Sequence, residues 1–342
     1  MSLATLPTPV ERLSKLGEEV GVESLYVKRD DQSGTVYGGN KVRKLEFLLG
    51  EAVAGDYDEV WTVGAIGSHH ALATSIYARE LDLTPAVLHF PQPITDHVLD
   101  NLRALSTTQP KLTLATHKAQ LPVEMGKVKL RQWLSKAEDI YYVPGGGSNG
   151  MGVLGYVNAA FELAEQVAED QLPEPDIIFV AAGTCGTLAG LTLGCRMAGL
   201  STEVIGVRVV DKILANATLT ARLANKAGKI LSEHGVKGVP RISGSQITLL
   251  DDYFGPDYGV PTDAGLEAIE LAKEHEGLKL EPTYTGKALA GLLGERERLD
   301  LAGKNVLYWH TLSGVDLSER IARADVERDL PEGYQKFFEE TS

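Results

Sequence analysis

Short runs of β-branched and other apolar residues alternate along the chain with longer stretches whose apolar positions recur at helical spacing. The short runs predict strands at residues 24–29, 59–64, 84–90, 111–115, 140–143, 177–181, 203–209 and 305–310. The longer stretches predict helices at residues 41–54, 71–81, 154–170, 188–198, 262–276 and 287–298. Strands and helices that alternate in this way are typical of an α/β fold with mainly parallel sheets.

Two turn-rich segments divide this pattern. One is the glycine-rich run at 145–150, and the other is the Pro-Glu-Pro turn at 173–175 that precedes a new strand. A length of 342 residues also fits about two domains. The pattern alone supports one unit near residues 50–150 and another from residue 175 onward, and it leaves the first 48 residues to either.

The composition excludes several classes of partner. Lys and Arg total 33 against 47 for Asp and Glu, a net charge of −14. Such a chain repels nucleic-acid backbones and anionic lipid surfaces, so we expect neither nucleic acid nor a membrane as a partner. The two cysteines form no disulfide framework, and the first ten residues show no secretory signal pattern. We therefore expect a soluble cytoplasmic protein.

A glycine- and threonine-rich loop follows the strand predicted at 177–181. The loop reads AGTCGT at 182–187 and leads into a helix of small residues. A helix N-terminus offers free N–H groups and a positive dipole end, which together suit a phosphate. The glycine spacing is neither that of the dinucleotide fingerprint nor that of a Walker loop. A phosphate cradle and an ordinary strand–turn–helix connection therefore both stay open.

Three cations stand close together at the start of the first predicted helix. They are Lys41, Arg43 and Lys44, directly after two glycines and Asn40. Lys41 and Lys44 are three residues apart, so they share a helix face and can approach one anion. A lysine amine is also the group that forms a Schiff base with an aldehyde cofactor. The alternative is a solvated basic helix start, although cations at a helix N-terminus oppose the helix dipole.

These motifs occur with others in a characteristic order. The set comprises YVKRDD at 26–31, GGNK at 38–41, RKLE at 43–46, GSHH at 67–70, PGGGS at 144–148, the loop at 182–187, YGVP at 258–261, YTGK at 284–287 and the His-Thr pair at 310–311. Over nearly the whole chain the set resembles the 1-aminocyclopropane-1-carboxylate (ACC) deaminase/D-cysteine desulfhydrase family of pyridoxal-phosphate enzymes. The resemblance implies an α/β, two-domain, fold type II enzyme, similar to tryptophan synthase β, with parallel-rich twisted sheets flanked by helices. It also implies a large cofactor-binding domain at 1–48 and 153–342 and a small domain at 49–152.

The resemblance implies which residues bind the cofactor, pyridoxal 5'-phosphate. Lys41 would hold the cofactor as a Schiff base and later remove the α-proton of the substrate. The phosphate would lie against the loop, with Lys44 adding positive charge. The loop residues concerned are Gly183, Thr184, Cys185, Gly186 and Thr187. We expect Cys185 to fill space in the loop rather than act as a nucleophile, because a thiol beside a dianion has a raised pKa.

The resemblance also implies the residues that meet the substrate. Ser68 would contact the substrate carboxylate or act on its protons, and it suits the N-cap of the helix that follows. Tyr258 and Tyr284 would line the pocket and donate to the carboxylate or shuttle a proton. His69 stands where the family has an asparagine that binds the phenolic oxygen of the cofactor. We do not expect His69 and His70 to form a metal site, because adjacent side chains point apart and no further Cys or His lies at ligand spacing.

Two threonines indicate the branch of the family. Thr285 stands where the deaminases have a glutamate, and a neutral hydroxyl cannot hold a pyridinium nitrogen by charge. Thr311 stands where the deaminases have leucine. Both residues favour the desulfhydrase branch, although Leu312 and Ser313 depart from the family's glycines.

The leading hypothesis is therefore a homodimeric lyase that converts D-cysteine, a small amino-acid substrate, to pyruvate, sulfide and ammonia. ACC deaminase, L-cysteate sulfo-lyase and a non-catalytic cofactor-binding homologue stay open as alternatives.

Overall fold

The structure, a computed structural model, describes residues 1–117, 120–134 and 140–339. The chain forms two groups of residues that pack among themselves. We call residues 2–47 with 148–315 the larger unit, and Met1 with 48–147 and 316–342 the smaller unit. No helix in the described part of the chain is both long and apolar enough to cross a membrane.

The described residues contain the following strands and helices, numbered in chain order. The strands are β1 (Val10–Arg12), β2 (Leu25–Lys28), β3 (Glu59–Ala65), β4 (Thr84–Phe90), β5 (Lys111–Leu114), β6 (Ile140–Val143), β7 (Ile177–Ala182), β8 (Glu203–Arg208), β9 (Thr248–Leu250) and β10 (Val306–Trp309). The helices are α1 (Ser14–Val20), α2 (Asn40–Ala54), α3 (His69–Glu80), α4 (Asp96–Ser106), α5 (Leu121–Leu134), α6 (Gly150–Ala168), α7 (Gly186–Met197), α8 (Ala217–Glu233), α9 (Asp263–Glu276), α10 (Thr285–Glu295), α11 (Ser318–Ala322), α12 (Val326–Asp329) and α13 (Glu332–Glu339).

The larger unit is built on a six-stranded sheet with the order β1-β2-β10-β7-β8-β9. Its strand pairs are parallel except for β1 with β2, and Tyr308 of β10 lies between Val27 and Phe179. All six residues of β7 are buried, as expected for a parallel strand covered on both faces. One face of the sheet packs against α6, α7 and α8, and the other against α1, α9 and α10.

The smaller unit contains a four-stranded sheet with the order β5-β4-β3-β6, in which every pair is parallel. The C-terminal segment packs on this unit. The Arg320 guanidinium donates to Thr107 Oγ1 at 3.1 Å, the ring of His89 is 3.1 Å from the Tyr334 hydroxyl, and the Arg103 guanidinium lies 4.9 Å from the Phe338 ring centroid. This placement differs from our expectation that 316–342 belongs to the large domain. The exact domain boundaries stay a prediction.

The predicted α/β alternation is confirmed. All eight predicted strands and all six predicted helices occur, with ends that differ by up to four residues. The pattern missed β1 and β9, which are three residues long and too short to show a period. It also did not include α1, α4, α5, α8, α11, α12 and α13 among the helices.

A buried ion network fixes the start of α2 in the larger unit. The Arg43 guanidinium donates to the Asp30 carboxylate at 2.8 Å and to both oxygens of Glu162 at 2.8 and 2.9 Å. Lys28 Nζ donates to the same Glu162 carboxylate at 2.6 Å. Burial alone would raise the pKa of Asp30, but the charge and hydrogen bonds of Arg43 lower it. Two buried cations and two buried carboxylates thus neutralise one another.

We expect Arg43→Met to lower the free energy of unfolding by about 3–5 kcal/mol, because it leaves two buried carboxylates with Lys28 as their remaining cation. Arg323→Met is the matched control, since Arg323 forms an exposed pair with Glu319 on α11. That pair contributes about 0.5 kcal/mol or less. Urea denaturation measures both variants, and equal losses would contradict a structural role for the network.

Candidate active site

The glycine- and threonine-rich loop connects β7 to the N-terminus of α7. Cys185 caps α7 with a left-handed backbone, φ 61°, a conformation that is uncommon outside glycine. Burial raises the pKa of the Cys185 thiol, so the side chain stays neutral. The Thr184 hydroxyl lies 2.7 Å from the Ser148 hydroxyl. The loop therefore presents a helix N-terminus and a pair of hydroxyl groups at one point.

The two lysines predicted from the sequence approach this loop from α2. Lys44 is buried, and a Cβ built on Gly186 would lie only 2.9 Å from Lys44 Nζ and 2.5 Å from Ser148 Oγ. Lys41 Nζ donates to the Asn40 side chain at 2.6 Å, and Asn40 donates in turn to the Thr187 hydroxyl at 3.1 Å. Asn40 therefore links Lys41 to the loop.

Burial raises the free energy of the charged form of both Lys41 and Lys44. It lowers the pKa of Lys41 to about 8, although the negative charge of Glu281 opposes the shift. The pKa of Lys44 lies well below its usual value, because of burial first and the charge of Lys41 second. An anion beside the two amines would stabilise their charged forms. Together with the hydroxyl groups and the N–H groups of α7, they form a donor set that fits a phosphate dianion.

A buried carboxylate that the sequence analysis missed lies at the N-terminus of α10. Glu281 accepts from the backbone N–H groups of Thr283, Tyr284 and Thr285 at 2.7–2.8 Å. Its own backbone N–H donates to the Thr285 hydroxyl at 2.8 Å. The hydroxyl of Thr285 lies 3.2 Å from the Glu281 carboxylate. Glu281 thus orients the threonine that the sequence analysis singled out.

The two tyrosines that are predicted to line the pocket, Tyr258 and Tyr284, contact each other. The hydroxyl groups of Tyr258 and Tyr284 are hydrogen-bonded to each other, and their ring centroids are 6.2 Å apart. Burial raises the pKa of Tyr258 to about 12 and that of Tyr284 well above its usual value. Both tyrosines therefore stay protonated at neutral pH.

The segment that departs from the family's glycines supports the turn before Lys41. The Ser313 hydroxyl accepts from the Gly38 backbone N–H at 2.9 Å, and the Thr311 carbonyl accepts from the Asn40 backbone N–H at 3.1 Å. A Cβ on Gly39, whose φ is 82°, would lie 2.7 Å from that carbonyl. Only glycine fits both the conformation and the space. Thr311 itself is buried.

In the smaller unit, Ser68 is the N-cap of α3, as predicted, and accepts from the Ala71 N–H at 3.2 Å. His69 begins this helix, and its Nε2 lies 2.9 Å from Nε2 of His97 on α4. The packing of α3 and α4 brings these two histidines together although they are 28 residues apart in sequence. Within the described ranges, no three His, Cys, Asp or Glu residues form a group that fits a metal ion.

Comparison with known proteins agrees with this geometry. The sequence profile of a family described as "Pyridoxal-phosphate dependent enzyme" matches residues 1–311. The chain belongs to this family. The loop offers N–H and hydroxyl donors of the kind that a phosphate needs, and Lys41 and Lys44 offer amines of the kind that an aldehyde needs.

Curated relatives of this pyridoxal-phosphate enzyme include D-cysteine desulfhydrases. That of Serratia proteamaculans is 36% identical over 86% of this chain and 87% of the relative, and that of Salmonella choleraesuis is 36% identical over 91% and 93%. A crystal structure titled as an ACC deaminase homologue has a TM-score of 0.76 and 29% identity, and covers 94% of this chain and 95% of the other. The resemblance found in the sequence and the fold type II architecture are thereby confirmed.

We expect Gly186→Ala to weaken the binding of pyridoxal phosphate by about tenfold or more, because an added Cβ crowds Lys44 and Ser148 and such overpacking costs about 1–3 kcal/mol. Gly303→Ala is the control, since Gly303 is exposed and its Cβ would meet nothing within 4 Å. Titration of the apo-protein measures the dissociation constant. The same constant in both variants would contradict a phosphate site at Gly186.

The lowered pKa of Lys41 predicts how cofactor loading depends on pH. Only the neutral amine attacks the cofactor aldehyde, so the rate at which the apo-protein takes up pyridoxal phosphate should rise with pH to about 8 and then level off. The appearance of the visible absorption band measures this rate.

We also expect borohydride reduction to attach the cofactor covalently to Lys41, and to attach none to the Lys41→Ala variant. Peptide mapping measures the site of attachment. Covalently bound cofactor in the Lys41→Ala variant would refute the assignment.

Proposed function

We propose that this enzyme catalyses β-elimination on D-cysteine or a closely similar amino acid, and releases pyruvate, sulfide and ammonia. The names of the curated relatives support the substrate class. The observation that carries the proposal is Thr285, which offers a hydroxyl where the deaminase branch has a carboxylate. The Glu281 carboxylate lies 3.2 Å from that hydroxyl, but the side chain at position 285 is still a neutral hydroxyl.

Bound pyridoxal phosphate withdraws electrons from the substrate Cα and makes its proton acidic. We assign removal of that proton to Lys41, whose pKa near 8 is close to the value that suits a general base at neutral pH. The electron pair of the Cα–H bond forms the Cα–Cβ double bond, and the Cβ–S bond breaks. The sulfur leaves with its electron pair, and hydrolysis of the remaining enamine gives pyruvate and ammonia.

We assign the hydroxyl pair of Tyr258 and Tyr284 to the substrate. Since both phenols stay protonated, one of them can donate a hydrogen bond to the substrate carboxylate, or a proton to the departing sulfur. One hydroxyl of the pair donates to the other, which leaves one hydrogen for the substrate. In this proposal Ser68 binds the carboxylate, His69 donates to the cofactor's phenolic oxygen, and Thr311 lies near the ring nitrogen.

The proposal includes a cytoplasmic homodimer. The low cysteine content fits the reducing compartment of this proposal. Size-exclusion chromatography with light scattering tests the dimer.

We expect D-cysteine to turn over well and ACC poorly, because elimination of a good leaving group needs less electron withdrawal than opening of a cyclopropane. Thr285→Glu combined with Thr311→Leu should shift the ratio of the two kcat/KM values toward ACC by about tenfold, or roughly 1.4 kcal/mol. Pyruvate release detects D-cysteine and L-cysteate turnover, and 2-oxobutyrate release detects ACC turnover. Equal kcat/KM for D-cysteine and ACC in the unmodified enzyme would refute the proposal, and preference for L-cysteate would redirect it to sulfonate elimination.

A further inference from the structure

Tyr258 is carried by an irregular loop rather than by a helix or strand. The loop runs between β9 and α9, and Gly255 and Gly259, which flank Tyr258, both have a φ of 80°. Such a backbone has no regular hydrogen-bond ladder to hold it in one conformation. The position of the Tyr258 hydroxyl therefore depends on what anchors the loop from outside.

The anchor is the side chain of Lys287, which lies on α10 and is fully buried. Its Nζ donates to the Phe254 carbonyl at 2.6 Å and to the Val260 carbonyl at 2.7 Å. These two carbonyls lie four residues before and two residues after Tyr258. The ammonium also lies 5.7 Å from the centroid of the Phe254 ring. A single cation thus joins the two arms of the loop.

The chemistry of the site explains why a lysine occupies this position. An ammonium group has three donors and no acceptor, so it bridges two carbonyls that a methionine or leucine would leave unsatisfied. Burial lowers the pKa of Lys287, and the charge of Glu281 opposes that shift. The same helix, α10, follows directly on Tyr284. Lys287 therefore connects the loop that carries Tyr258 to α10, and α10 begins directly after Tyr284.

We propose that Lys287 is a positioning residue that acts on the reaction through Tyr258, by holding its hydroxyl against that of Tyr284. The kinetic part of this inference rests on the proposed function, whereas the anchoring itself does not. The hydrogen bonds of the Lys287 ammonium go to the loop of Tyr258 and not to the loop at 182–187, so we expect the cofactor content to stay the same when Lys287 is replaced.

The kinetic test is a double-mutant cycle with Lys287→Met and Tyr258→Phe. If Lys287 acts through the Tyr258 hydroxyl, Lys287→Met should lower kcat/KM for D-cysteine about tenfold in the unmodified enzyme and less than about twofold in the Tyr258→Phe background. A general structural defect would lower both equally and would overturn the proposal. Lys273→Met, at an exposed position of α9, is the control and should change neither value.

The second test does not depend on the substrate. Amide hydrogen exchange of the holoenzyme should become at least about tenfold faster across residues 254–260 in Lys287→Met, with little change in the loop at 182–187 and none in Lys273→Met. If Lys287→Met does not fold, Lys287→Gln replaces it, since glutamine retains donors for one of the carbonyls. Unchanged exchange at 254–260 overturns the proposal. Faster exchange in an enzyme that does not turn over D-cysteine refutes the proposed function and leaves the anchoring intact.

Discussion

The position of Lys41 depends on one buried side chain two residues away, Arg43. The Arg43 guanidinium is held by Asp30 and Glu162, and this fixes the rotation of α2 about its axis. At about 100° per residue, Lys41 and Lys44 lie close together on the helix surface, and Arg43 lies well away from Lys41. Because Arg43 points into the core, Lys41 and Lys44 face the same site. A different rotation of α2 would leave buried charges without partners, which is strongly unfavourable, and the observed rotation places the candidate cofactor lysine.

An acidic chain can bind a phosphate when its positive charge is concentrated at one site. The overall net charge of −14 does not attract a phosphate, so the attraction has to be local. The N-terminus of α7 supplies N–H groups, and Lys44 approaches Gly186 closely enough to exclude a Cβ. The charge of Lys41 adds to burial in lowering the pKa of Lys44, because like charges disfavour each other. A bound phosphate removes this repulsion, so cofactor affinity and the stability of the folded state should rise together.

Those parts of the site that lie close together in sequence could be predicted, and those assembled by the fold could not. The loop at 182–187 and the Lys41 motif are each contiguous in sequence, so they stand out as candidates, and the family resemblance gives them roles that stay predictions. Glu281 was missed because only the first turn of α10 converts it into the carboxylate beside Thr285. His97 was missed because its approach to His69 depends on how α3 and α4 pack. The C-terminal residues carry no pattern that reveals the surface on which they pack.

The contact between Glu281 and Thr285 places a neutral hydroxyl beside a buried carboxylate. The Thr285 hydroxyl accepts a short bond from the Glu281 N–H, at 2.8 Å, whereas its own hydrogen has only long contacts, at 3.2 Å to the carboxylate and 3.3 Å to the carbonyl of Glu281. Typical O–H···O bonds are about 2.7–2.8 Å, so this hydrogen is weakly held and free to turn toward another acceptor. In the proposed function, the Thr285 hydroxyl donates a hydrogen bond to the ring nitrogen of the cofactor and brings no negative charge that would hold a proton on it. A neutral partner at that position suits elimination of a good leaving group, which needs less electron withdrawal than opening of a cyclopropane.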